Sequence, residues 1–158
     1  MRNDDANAIP KHEAGQPKFE YTQIDDQIYI GTNACCAAHF DMELIDKDIT
    51  ADISLEGEKL DQPFGVESFV WLPTKDHTPP TRDAAETGIA ALEEMLARGK
   101  KVYIHCKNGQ GRAPTFYAAY LIRKRGMTPD EAVAHIKSKK PGVHLEDSQM
   151  EFLESLIG

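Results

Sequence analysis

Three observations predict an α/β sandwich. β-prone runs alternate with helix-periodic runs along most of the 158 residues, the pattern of a sheet covered by helices. Residues 102–115 pass from an apolar strand through a glycine-bearing loop into a helix start, a connection typical of such folds. No internal repeat occurs, and no apolar run approaches the ~20 residues of a membrane span. A chain of this length suits one domain around one substantial core.

The elements follow in order. Residues 1–17 are polar, with Pro10, Gly15 and Pro17, and read as a flexible tail before a single domain at 18–158. Tyr21 to Ile24 and Gln27 to Ile30 flank Asp25-Asp26, predicting a hairpin that ends at Gly31. Residues 33–49 carry Ala34, Ala37, Ala38, Phe40, Met42, Leu44 and Ile45, which predict one or two short helical pieces. Strands are expected at 50–55 and 67–72, with a loop between them marked by Gly57, Pro63 and Gly65. Ala85, Ile89, Leu92 and Leu96 recur at helical spacing over residues 81–98, and Gly99 stops that helix.

Residues 101–105 form the strand that feeds the glycine loop. The helix beyond it is apolar nearly all round through Ile122, so it should be central and buried. Gly126 ends it. Thr128-Pro129-Asp130-Glu131 is a capping box with proline at N1. Its helix runs through Val133 and Ile136, and Pro141-Gly142 breaks it. A last helix spans 146–156, with Met150, Leu153 and Leu156 inward.

Composition excludes several classes. A net charge of −8 argues against general nucleic-acid binding. The start Met1-Arg2-Asn3-Asp4-Asp5 lacks the apolar segment of a signal peptide. Three cysteines, two of them adjacent, make no disulfide framework, so a cytoplasmic location is expected. No cysteine pair or His/carboxylate cluster has metal-ligand spacing, and no cofactor is expected. Charge is nevertheless uneven: residues 98–140 hold eleven Lys and Arg against two acids. A basic segment around the loop fits an anionic substrate, although Lys100, Lys101 and Arg123-Lys124-Arg125 read more simply as solvated helix ends.

The chemistry concentrates in His105-Cys106-Lys107-Asn108-Gly109-Gln110-Gly111-Arg112. Loop amides and a helix N-terminus make a cradle for a dianion, and Gly109 and Gly111 allow the tight backbone it needs. Arg112 offers a planar fork for phosphate. The same positive field favours the thiolate of Cys106 and hence a nucleophile. Substrate phosphate would rest on residues 107–112. Lys107 could widen anion recognition. His105 reads as a loop-ordering hydrogen bonder or as a packed histidine.

His-Cys-x-x-Gly-x-x-Arg at 105–112 resembles the signature of cysteine-dependent protein tyrosine phosphatases, and the short chain most resembles the dual-specificity group. The resemblance implies the phosphotyrosine protein phosphatase fold, a three-layer sandwich with a central, mostly parallel sheet of four to five strands flanked by helices. It also implies phosphate-monoester hydrolysis through a phosphocysteine intermediate, without a metal. In that group the general acid is an aspartate on a loop about thirty residues before the cysteine. Asp76 matches, on the Pro-rich stretch Trp71 to Pro80 between a strand and a helix. His77 and Asp83 are the alternatives.

One departure matters. The family usually places Ser or Thr after the arginine, where its hydroxyl helps the sulfur leave; here Ala113 stands there, and Thr115 follows two residues on. Thr115 is read as a loop-ordering residue and as a possible substitute donor. Cys35 and Cys36 are read as core cysteines, with a resolving thiol for Cys106 as the functional alternative. Low-molecular-weight phosphatases carry their Cys-x5-Arg near the N-terminus, and rhodanese-type loops are often shorter, so neither fits as well.

The expected function is a monomeric phosphatase of phosphotyrosine or phosphoserine/threonine in proteins, with no nucleic-acid or membrane partner. The alternatives are a phosphatase of phosphoinositides or another small phosphate ester, and a catalytically weak phosphate-binding module. Ala113 directly supports the last.

Overall fold

The computed structural model describes residues 19–33, 41–60 and 62–157. The expected tail at 1–17, the cysteines Cys35 and Cys36, and part of the predicted helical stretch at 33–49 lie outside the described residues. A five-stranded sheet forms the centre. Its strands are β1 (Tyr21–Asp25), β2 (Ile28–Gly31), β3 (Ile49–Glu56), β4 (Ser68–Thr74) and β5 (Lys101–His105), in the spatial order β1-β2-β5-β3-β4. β1 and β2 pair antiparallel as a hairpin, and every other neighbour is parallel. The helices are α1 (Met42–Asp46), α2 (Arg82–Ala97), α3 (Arg112–Arg125), α4 (Pro129–Lys139) and α5 (Asp147–Glu154).

β5 sits at the middle of the sheet, which explains its apolar Val102-Tyr103-Ile104 run, fully buried on both faces. One face carries Ala51, Ile53, Leu55, Val102 and Ile104 into the main core, where they meet Ile89 and Leu92 of α2 and Phe116 of α3. α3 is buried from Arg112 through Ile122, as its all-round apolar sequence requires. Gly126 then stops it in the left-handed conformation at φ 68°. Thr128 caps α4 with the predicted box: its hydroxyl accepts from the Glu131 amide while the Glu131 carboxylate accepts from the Thr128 amide, both at 3.1 Å. That contact holds the Glu131 carboxyl below the usual carboxylate range.

Two sequence expectations shift. The strand expected to stop at Leu72 continues through Pro73 to Thr74. β4 is the outermost strand, so a proline without an N–H costs it little. Among the described residues of the 33–49 stretch, the helix is a single short turn region, α1. Asp48, at φ 62°, turns the chain out of it, and Ile49 opens β3. Among the described residues, no helix is long and apolar enough to cross a membrane.

Candidate active site

The loop of residues 106–111 leaves the C-terminal end of β5 and enters α3 at Arg112, the edge where parallel sheets commonly place their chemistry. Cys106 is buried there. Gly109 takes φ 69°, and a Cβ at this residue would lie 2.7 Å from the carbonyl carbon and oxygen of Gly31. Glycine is therefore needed twice over, for its angle and for the close approach of two backbones. The carbonyls of Lys107 and Gln110 accept from the amides of Asn33 and His144, at 3.5 and 2.8 Å. Among the described residues, no protein group accepts from the amides of residues 107–111. Loop carbonyls are thus engaged outward while loop amides stay available for an anion.

Arg112 closes the loop and is 2% exposed. Its Nη1 donates to the Thr74 carbonyl at 2.8 Å and to both carboxylate oxygens of Glu58 at 2.9 Å. Its Nε has no hydrogen-bond partner and lies 3.5 Å from Asp76 Oδ1. One edge of the guanidinium is tied down by protein and a buried N–H is left over. A buried donor without an acceptor costs about 1–3 kcal/mol, and a phosphate oxygen would remove that cost.

Asp76 follows β4 on the predicted loop. Its Oδ1 accepts from the His77 amide at 2.9 Å, and its carboxylate is 41% exposed. His77 adopts φ 66°, and its ring turns toward the Glu146 carboxylate at 3.3 Å. The loop is fastened to α5 by two further contacts: Ser148 Oγ donates to the His77 carbonyl, and Gln149 Nε2 to the Thr78 carbonyl. Of the three candidate acids, Asp76 stands against Arg112, whereas Asp83 lies exposed in the first turn of α2.

The dual specificity phosphatase catalytic-domain family matches residues 28–157. The chain belongs to that family. Among its relatives is the human phosphatidylglycerophosphatase and protein-tyrosine phosphatase 1, 36% identical over 92 residues, 58% of this chain and 45% of that protein. The Arabidopsis thaliana phosphatidylglycerophosphate phosphatase PTPMT1 is 32% identical over 79 residues, 49% of this chain and 23% of that protein. The chain therefore matches less than half the length of these relatives. A crystal structure of PTPMT1 superposes with a TM-score of 0.72 at 27% identity, covering 87% of this chain and 93% of that one.

Other residues of this dual specificity phosphatase site take defined places. Thr115 is buried and donates to the Gly111 carbonyl at 2.7 Å, so its hydroxyl ties the loop to the helix it opens. Ala113 is fully buried. His105 is buried beside Asp52. Lys100 and Lys124 pair with Glu67 and Glu93, and Arg123 with Glu86, so these cations serve the surface. Among the described residues, no group of three or more His, Cys, Asp and Glu side chains is placed to hold a metal ion.

Sequence reasoning missed Glu58 and Gln149. Glu58 lies in the loop after β3, where turn residues were the only signal, and its partner is 54 residues away. Gln149 is completely buried. Its side chain accepts from the Glu146 amide and donates to Thr78, and a Cβ on Gly111 would lie 3.4 Å from it. A buried glutamine two residues into a helix could have been suspected from its place one turn before the inward Leu153, on the same face.

Proposed function

We propose that this chain hydrolyses phosphate monoesters through a phosphocysteine intermediate. The observation that carries the reading is the buried Arg112: Glu58 and Thr74 hold its Nη1, its Nε lacks a hydrogen-bond partner, and Asp76 Oδ1 stands 3.5 Å from that Nε. The Cys106 thiolate attacks phosphorus as the ester oxygen leaves with a proton from Asp76. Arg112 and the loop amides hold the non-bridging oxygens, a role in which one donor is worth about 3 kcal/mol. Water, deprotonated by Asp76, then attacks the phosphocysteine and releases phosphate and the thiolate.

For substrate we infer a phosphomonoester on a lipid headgroup, of the phosphatidylglycerophosphate class. The relatives' names support it. So does Leu60, an apolar side chain 54% exposed two residues beyond Glu58 in the chain. That substrate would bring the chain to a lipid surface, against the sequence expectation of none.

The test has two steps. Hydrolysis of an aryl phosphate with chelator present should be abolished by Cys106→Ser; turnover that survives the substitution would rule out the cysteine pathway. Folded, reduced wild type that binds phosphate analogues without turnover would instead make the chain a binding module. Phosphatidylglycerophosphate in mixed micelles is then compared with a phosphotyrosine peptide. A higher kcat/KM for the peptide would return the assignment to protein substrates.

A further inference from the structure

The loop that carries Asp76 follows the outermost strand β4, and the phosphate loop follows the central strand β5, with β3 between them. No direct strand pairing therefore sets the distance between the two loops. The start of α5 spans that distance. The Gln110 carbonyl accepts from the His144 amide at 2.8 Å, and a Cβ on Gly111 would lie 3.4 Å from Gln149 Nε2 and 3.5 Å from its Oε1. On the other side, Gln149 Nε2 donates to the Thr78 carbonyl at 3.3 Å, and Ser148 Oγ to the His77 carbonyl at 3.2 Å. Gln149 thus meets both loops.

Asp76 rides on a tight turn from Lys75 to Thr78. The Thr78 amide and hydroxyl close it on the Lys75 carbonyl, at 3.2 and 2.7 Å. His77 takes φ 66° there without being glycine, a conformation that persists where the surroundings over-determine it. Those surroundings include the two α5 bonds to the carbonyls of His77 and Thr78. The Asp76 carboxylate leans on the same turn through the His77 amide at 2.9 Å, so it moves as the turn moves.

A helix cap alone does not account for Gln149. Its Oε1 accepts from the Glu146 amide at 2.8 Å, which completes the capping box of α5. That bond uses only the oxygen. The side chain is fully buried, and its nitrogen is committed to a carbonyl 71 residues away. Ser148 is exposed, so water can take the place of its hydroxyl. A buried donor has no such substitute.

We infer that Gln149 is a positioning residue for the general acid: its buried carboxamide fixes the turn that carries Asp76 at one distance from the phosphate loop. The inference rests on the phosphatase reading, with Asp76 as the acid. A proton donor must come within hydrogen-bond reach of the leaving oxygen, and a misplacement of about 1 Å can cost roughly a hundredfold in rate. Without Gln149 the Thr78 carbonyl loses its buried donor, and Asp76 spends less time within reach.

The experiment measures kcat/KM on a series of aryl phosphates whose phenols run from poor to good leaving groups. That parameter reports the step in which the phenol departs, whatever the rate of phosphocysteine hydrolysis. A poor leaving group needs the acid's proton and a good one does not. Gln149→Met has similar length but no amide. It should lose about tenfold on the poorest leaving group and little on the best, while tungstate, a phosphate analogue, binds as in the wild type. Added to Asp76→Asn, it should cost nothing further, because the acid it positions is already gone. An equal loss across the series overturns the proposal, as do weakened tungstate binding in step with that loss and an undiminished loss on top of Asp76→Asn.

Should Gln149→Met fail to fold, Gln149→Asn decides. It keeps an amide in the pocket but is one methylene too short to reach both Glu146 and Thr78. It should steepen the same leaving-group dependence, and an unchanged dependence overturns the proposal. Failure of the phosphatase reading would show separately, as Cys106→Ser or Asp76→Asn keeping the wild-type kcat/KM.

Discussion

The two faces of the central sheet are built on different rules. On one, Ala51, Ile53, Leu55, Val102 and Ile104 pack into a continuous apolar core with α2 and α3. On the other, the same two strands present Asp52, Ser54, Glu56, Tyr103 and His105, all buried. Both faces are dry, yet one is held by apolar packing throughout and the other sets buried polar groups beside a smaller apolar cluster of Tyr29, Leu44, Ile49 and Tyr103. The apolar face is general and fixes where β5 ends. The polar face is particular, because a buried polar group is tolerated only where a partner meets it. Damage to the first should remove the fold, and damage to the second should alter what the fold does.

The largest expected effect tests the first half of that statement. Phe116 is fully buried on α3, and its ring packs where a Cβ on Gly88 of α2 would come within 2.6 Å. Phe116→Ala should cost about 3–5 kcal/mol, read as a lowered denaturant midpoint with an unchanged slope. Activity per folded molecule should fall far less. A stable Phe116→Ala protein with lost activity would show that the apolar face shapes the site directly.

Substitutions at the polar edge should show the reverse. Asp76→Asn keeps the side chain's shape and its contact with the His77 amide but removes the proton. Turnover should drop by about a hundredfold while a phosphate analogue binds as in the wild type and the melting temperature holds. Unchanged turnover would move the acid to His77 or Asp83. Glu58→Gln should act on binding: with Nη1 of Arg112 less firmly held, KM should rise about tenfold, a size set by a charged hydrogen bond at a carboxylate 46% exposed to water. Tighter binding would instead mean that Glu58 competes with the substrate for Arg112.

The same contrast decides what could be read from the sequence. The apolar face writes itself as periodicity, so β3, β5 and α2 through α5 were legible to within a few residues. The strand–loop–helix connection at 101–112 was legible because its constraints are local: Cys106, two glycines and Arg112 lie within seven residues of one another. The place of Asp76 on the loop after β4 was legible, but its approach to Arg112 was not. Glu58 and Asp52 were not legible as partners, since each gains its meaning from a residue more than fifty positions away. Asp52 also keeps the alternation of its strand, so pattern alone makes it look like a solvent-facing position. Pro73 concealed the end of β4 because edge position, a property of the whole sheet, decides whether a proline is tolerated.

Ala113 gives the smallest effect and the finest test of local constraint. The family's usual hydroxyl at this position donates to the departing sulfur. Thr115 cannot serve instead while its hydroxyl is committed to the Gly111 carbonyl at 2.7 Å. A leaving thiolate without that donor loses one net hydrogen bond, about 1 kcal/mol, and hydrolysis of the phosphocysteine slows by roughly fivefold. Ala113→Ser should therefore raise the steady-state rate by that factor while the initial burst of phenol release keeps its rate. A faster burst would place the new hydroxyl's effect on the attack instead. A slower steady state would mean that the fully buried site at Ala113 has no room for the oxygen, so that packing outweighs the hydrogen bond.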